Sequence, residues 1–343
     1  MDEYKKTIGK NAEGLSELIT QYQTQYSFTL AQDLPNETLL LTDQTTVTLY
    51  NIEISEKLFF VLLEKTKIAI GEKFSITEHF DSEDCIGEHR MAKRSPFCLD
   101  KYGAVSTLAL ENIERMPPNS IGCSLKEVDL YSTGLINILA KLRISEDSKV
   151  ERLRLSTNEK EHVAAILAQD KPFCVGSVEK IIFEDYAVSI IPKLKIHGDS
   201  EVETLKLDAR EKEQVAEILS QDKPFCVRRV KNMELRDYAV SVLTKLGIHE
   251  GSEIKSLDFR ANKEEHITEI LSQDKPFCVR RVENMSLEDY AVSILPKLKI
   301  HEDSMVEKIK LIAREKEHVS VMFSQDKLFC IRRVESIYIE NFT

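Results

Sequence analysis

The chain has 343 residues and a formal net charge of −11, with 58 acidic against 47 basic side chains and 42% hydrophobic residues. That balance excludes a disordered polymer and speaks against nucleic-acid binding, which needs a basic footprint to displace counterions from phosphate. No apolar run is long enough to cross a bilayer, and the opening MDEYKKTIGKNAEG lacks the apolar core of a secretory signal, so the expected compartment is the cytosol, with no membrane partner.

Leu15, Leu18 and Ile19 fall at helical spacing and predict an amphipathic helix over about Glu3 to Tyr22, the centre of an N-terminal helical cap spanning 1–45. From 46 to 343 the chain reads as an array of strand-and-return units, irregular over 46–124. There VTLYN from Val47 alternates as a strand, SEKLFFVLLEKTKI reads as a helix, and Phe74 opens another strand-like run. RSPFC, ending at Cys98, echoes later KPFC segments. Val105 to Leu110 (VSTLAL) is read as a strand, and the return ENIERMPPNSIGC, with Pro117 and Pro118, as too short for a full helix.

From 125 the pattern becomes strict. QDKPFCVRRV recurs almost unchanged from Gln169, Gln221, Gln273 and Gln325, a constant spacing of 52 residues. Each period holds two strand units, starting at Val150, Val178, Val202, Val230, Ile254, Val282, Val306 and Val334, with gaps of 28 and 24 in alternation. Every unit opens apolar, two variable, apolar, variable, apolar, as in VERLRL, VETLKL and IKSLDF, which as a strand buries one face and exposes the other. Long units carry a helical stripe behind the strand: Val163, Ile166, Leu167, then Val215, Ile218, Leu219, then Ile267, Ile270, Leu271, then Val319, Met322, Phe323. Short units return through YAVSIIPKLKI and its copies, where Pro192 and Pro296 restrict a helix to a turn or two. Strand, helix and parallel strand in repetition predict an α/β solenoid with strands on one side and helices on the other.

VERLRLSTN, ending in Asn158, and the matching run that ends in Asn262 resemble the leucine-rich repeat of the ribonuclease-inhibitor type, also found in the C-terminal region of nucleotide-binding leucine-rich-repeat receptors. The resemblance covers about 47 to 343 and implies a right-handed horseshoe, with parallel strands on the concave face and helices on the convex face. In that family the asparagine satisfies backbone groups inside the turn. Here Arg210 and Arg314 replace it in two long units, and Tyr186, Tyr238, Tyr290 and Phe342 stand there in the short ones, so another device must serve.

The repeated cysteines and histidines invite a redox or metal reading, which spacing argues against. Cys174, Cys226, Cys278 and Cys330 lie two strands apart, about 9–10 Å, too far for a disulfide, and are expected as free buried thiols. His197, His249 and His301 form one ladder and His162, Gln214, His266 and His318 another, too widely spaced to share a metal and expected to face solvent or support turns. No phosphate-cradling loop, HExxH or nucleophile elbow is present, so neither an enzyme nor a cofactor is expected.

The expected function is a non-enzymatic protein-protein interaction module or scaffold, by resemblance the ligand-sensing part of a cytosolic receptor. The alternative is a regulator of an enzyme, of the ribonuclease-inhibitor or GTPase-activator type. The open strand face is the expected binding surface, through Arg152, Arg154, Lys206, Glu234, Arg236, Asp258, Arg260, Lys310 and Tyr338. Acidic short-unit strands (Glu184, Asp185, Asp237, Glu288, Asp289) alternate there with more basic long-unit strands and offset them, and Tyr338 is the main aromatic residue. A second candidate is an arginine rim of Arg228, Arg229, Arg280, Arg281, Arg332 and Arg333. The final strand unit, from Val334, is expected to support self-association through its open edge.

Overall fold

The computed structural model describes residues 26–31, 40–78, 85–88, 95–196, 201–222, 224–227, 229–248, 253–274, 277–279, 281–300, 306–319 and 333–341. The chain forms two compact units, one of residues 1–97, 104–124 and 140–143, the other of 98–103, 125–139 and 144–343. The expected helix over Glu3 to Tyr22 lies outside the described residues. No helix among those described is long and apolar enough to cross a membrane.

In the first unit Ser27–Leu30, Thr46–Leu49 and Lys67–Ile70 pair as a parallel ribbon, and a separate five-stranded sheet has Phe74–Thr77 at its centre. Helix α1 (Glu56–Lys65) starts where Ser55 Oγ accepts the Leu58 N–H at 3.3 Å, and buries Phe59, Leu62 and Leu63. Helix α2 (Thr107–Arg115) corrects the strand expected at Val105 to Leu110. Ser106 Oγ accepts the Ala109 N–H at 3.1 Å, and the buried residues Ala109, Asn112 and Ile113 recur at helical spacing. Asn112 is fully buried and fully employed. Its amide donates to the carbonyls of Leu63 at 2.9 Å and Thr66 at 2.7 Å, and its oxygen accepts the Ile68 N–H at 2.9 Å, so α2 fixes the exit of α1.

The second unit is an α/β architecture on a ten-stranded sheet: β1 (Phe97–Tyr102), β2 (Leu125–Tyr131), β3 (Lys149–Thr157), β4 (Ser177–Asp185), β5 (Val202–Ala209), β6 (Val230–Asp237), β7 (Glu253–Ala261), β8 (Arg281–Asp289), β9 (Val306–Ala313) and β10 (Val334–Asn341). The strands follow chain order, and every pair from β2 to β10 is parallel and in register with the repeat. Val128, Leu153, Ile181, Leu205, Met233, Leu257, Met285 and Ile309 share one rung and are buried behind the sheet. Ile337 and Ile339 continue the apolar rungs on β10 and are exposed.

Long units return through short helical segments such as Glu213–Leu219, with Val215 and Ile218 buried; in the last copy Met322 and Phe323 lie outside the described residues. Short units return through 3-10 helices, Tyr186–Lys193, Tyr238–Thr244 and Tyr290–Lys297, tight enough to accommodate Pro192 and Pro296 near their ends.

The QDKPFCVRRV segment supplies a second, smaller set of strands. Phe173–Cys174 pairs with Leu194–Lys195, Phe225–Val227 with Leu246–Ile248, and Phe277–Val279 with Leu298–Ile300. RSPFC does not match these segments, because its Phe97 opens β1 of the large sheet. Phe173, Val175, Val227 and Val279 are buried, but Cys174 is only half-buried, against the expectation of buried thiols, and Pro172 and Pro224 are exposed. The side chains of Cys226 and Cys278, and all of Cys330, lie outside the described residues. Short units are also fastened to the preceding long-unit helices by lysines. Lys193, Lys245 and Lys297 donate Nζ to the carbonyls of Gln169, Gln221 and Gln273 at 2.6, 2.5 and 2.7 Å. Lys141, a period earlier, donates to the Met116 carbonyl at 2.7 Å. A cation there satisfies carbonyls that a helix end leaves open.

Candidate functional site

Period-two alternation brings the polar side chains of the ten strands to the open face of the sheet, in rows set by the register. One row runs Asp129, Arg154, Ile182, Lys206, Glu234, Asp258, Ser286, Lys310, Tyr338, and the next runs Tyr131, Ser156, Glu184, Asp208, Arg236, Arg260, Glu288, Ile312, Glu340. All nine side chains expected on this face are on it, with Arg152 one row further toward the strand starts.

Most of these charges answer one another. Arg152 Nε reaches Glu127 at 2.7 Å, Arg154 lies 3.8 Å from Glu184, Lys206 3.5 Å from Glu234, and Arg236 2.5 Å from Glu234. Long and short strands do not alternate cleanly in sign, because Asp208 and Asp258 sit on long units and Arg236 on a short one. Burial, with like charge from Asp237, pushes the Asp208 carboxyl up, and burial, with Glu288 and Glu234, does the same for Asp258.

Asp185, Asp237 and Asp289 do not belong to the open face as expected. They end their strands at φ of 56°, 53° and 56° and turn their carboxylates toward the following long unit. Asp237 accepts the backbone and side-chain N–H groups of Asn262 at 3.2 and 2.9 Å and lies 3.2 Å from His266 Nδ1. Asp289 is held by Arg314 at 2.7 and 2.8 Å, with His318 at 3.6 Å. Asp185 has Gln214 at 3.4 Å and Arg210 at 4.0 Å. In the long units without the asparagine a backbone N–H of the turn is met from the same unit, that of Glu211 by Gln214 Oε1 at 3.1 Å and that of Glu315 by His318 Nδ1 at 3.3 Å, while the aspartates tie one unit to the next. His266 and His318, tilted against Tyr238 and Tyr290 with ring centroids at 4.5 and 4.6 Å, are buried at these turns, so of the two expected roles they take turn support and do not face solvent. His162 is bound instead within its own unit, to Thr157 Oγ1 at 2.8 Å. His197, His249 and His301 lie outside the described residues.

In Asp237 burial alone would raise the carboxyl, but the contacts with His266 and the Asn262 N–H outweigh it and hold it below the usual range. In Asp185, where Gln214 brings no charge, burial prevails over Arg210 and the carboxyl is raised. Tyr238 is pushed up to about 12, by burial and by its hydroxyl bond to Glu265.

The rim is not assembled into a described site. Arg229 and Arg333 are exposed, while Arg228, Arg280, Arg332 and the side chain of Arg281 lie outside the described residues. Among the described residues, no group of three His, Cys, Asp or Glu is arranged to hold a metal ion.

The face carries exposed aromatic side chains at both ends: Tyr338 on β10, 50% exposed as expected, and a pair on β1 and β2. Tyr102 on β1 and Tyr131 on β2 are 57% and 46% exposed, with ring centroids 6.5 Å apart. LKEVDLY carries the same apolar spacing as the later strands (Leu125, Val128, Leu130), so Tyr131 was legible as outward. Tyr102 was not, because the strand was expected at Val105 and not at Phe97. Comparison with family models finds no match, and comparisons with curated proteins and with solved structures find none either.

Proposed function

We propose that the chain is a solenoid of the leucine-rich-repeat type and acts as a non-enzymatic protein-interaction module, a cytosolic scaffold or the sensing part of a receptor. Its binding surface is the open face of the ten-stranded sheet, strongest at the β1–β3 end. The observation that carries this reading is the exposed Tyr102 and Tyr131 pair on a face where most charges are mutually paired. Tyrosine and arginine are the residue types that anchor interfaces, and paired rim charges contribute little by comparison.

Affinity capture with the wild-type chain and with a Tyr102→Ala/Tyr131→Ala double variant, each followed by mass spectrometry, tests it. Partners that vanish with the double variant, at unchanged melting temperature, support the reading. Identical capture by both chains overturns it.

A further inference from the structure

Asp129 is 7% exposed on β2, and its Oδ1 has no hydrogen-bond partner. By alternation it shares a face with Tyr131, two residues on, and the neighbouring β1 presents Asp100 and Tyr102 in the same way. The two strands are locked there by the Gly103 N–H, which donates to the Tyr131 carbonyl at 2.9 Å. The Asp129 carboxylate, with Asp100 as a weaker contributor, holds the Tyr102 phenol above its usual range.

The cations nearby are committed elsewhere. Arg154, next to Asp129 in register, lies 3.8 Å from Glu184, and Arg152 is taken by Glu127. Arg154 Nε is itself buried without a hydrogen-bond partner, and Arg152 acts on Asp129 only from the next row, so the buried Oδ1 of Asp129 is met by neither guanidinium. A buried carboxylate without a counter-charge is costly, and a cation that also meets exposed phenol faces gains from both.

We propose that Asp129, framed by Tyr102 and Tyr131, is the seat for a lysine or arginine side chain presented by a partner protein. This rests on the reading of the sheet face as a binding surface and names the chemistry of its partner. The incoming cation pairs with the unpartnered Oδ1 of Asp129 and lies against the rings.

Isothermal titration calorimetry with a synthetic peptide, acetyl-Gly-Arg-Gly-Arg-Gly-amide, and its citrulline counterpart tests the seat. The arginine peptide should bind roughly tenfold or more tightly than the neutral isostere. Asp129→Asn should abolish that preference, and Asp100→Asn, at an exposed position, should reduce it. Equal binding of the two peptides, or a preference that survives Asp129→Asn, overturns the seat. If Asp129→Asn melts early, Tyr131→Leu replaces it, and a preference that survives Tyr131→Leu counts against the proposal in the same way. Capture assays separate the two readings: partners lost with Tyr102→Ala/Tyr131→Ala but kept with Asp129→Asn defeat the seat and leave the binding face standing.

Discussion

Asp237 holds a backbone conformation that costs a non-glycine residue about 1–3 kcal/mol, and the bonds of its carboxylate to the next unit offset that cost. Its ionisation lies below the usual carboxylate range in the folded state, so its contribution to stability is complete above that range and is lost as pH falls through it toward the folded value. Asp185 has the opposite sign: its charged form is disfavoured by burial, so its stabilising contribution is greatest when protonated and falls as pH rises through its raised folded value. Replacing Gln214 by His should therefore draw the Asp185 carboxyl downward, as followed by carboxyl carbon NMR shifts against pH; an unmoved titration would remove histidine as the cause of the contrast. Asn112 offers a simpler case. Truncation to Ala strands three backbone groups inside the first unit and should cost about 2–4 kcal/mol in a denaturant melt, whereas a loss below about 0.5 kcal/mol would mean that the site relaxes.

At the scale of elements, the lysine fastenings explain why the QDK segments from Gln169, Gln221 and Gln273 are each followed at a constant distance by a lysine. The glutamine carbonyl is an acceptor for a lysine 24 residues on, in each of the three described copies. Lys245→Met keeps the aliphatic stem and removes the donor, and should lower stability by about 1–2 kcal/mol; a melt indistinguishable from wild type would make the contact incidental. These contacts were invisible to periodicity because lysine, glutamine and aspartate look alike as polar loop residues until the fold sets them against one another. The starts of strands β3 to β10, by contrast, were legible to within one residue, since their apolar spacing repeats eight times. The misreading at Val105 to Leu110 has a local cause. VSTLAL matches the apolar, two variable, apolar, variable, apolar pattern of the strand units, while the decisive signal was a serine cap at Ser106 followed by helical spacing that ran on into Asn112 and Ile113.

Along the middle of the second unit, seams between strands come in two kinds, since the short units of β4, β6 and β8 each donate an aspartate to the long unit that follows. Excising residues 202–253, one full period, rejoins a short unit to a long one and should leave a folded chain with a denaturant slope reduced in proportion to its length. Excising 202–229 removes a long unit alone, sets Asp185 against a short unit with no histidine or glutamine at the receiving place, and should destabilise far more. Equal stability of the two deletions, by urea melts, would show that the aspartate contacts do not organise the array. Placement of the candidate face as a whole was readable from the sequence, but its tyrosine pair needed the correct position of β1.

The lysine fastenings also set how the protein would answer to force. Held at distant points and drawn apart, a repeat array yields where its contacts are fewest, and here each lysine ties a short unit to the helix of the long unit before it. Long and short units should let go together as one mechanical element. In an optical trap the contour would then grow in steps of about 170–190 Å for each 52-residue period, not in steps of half that length.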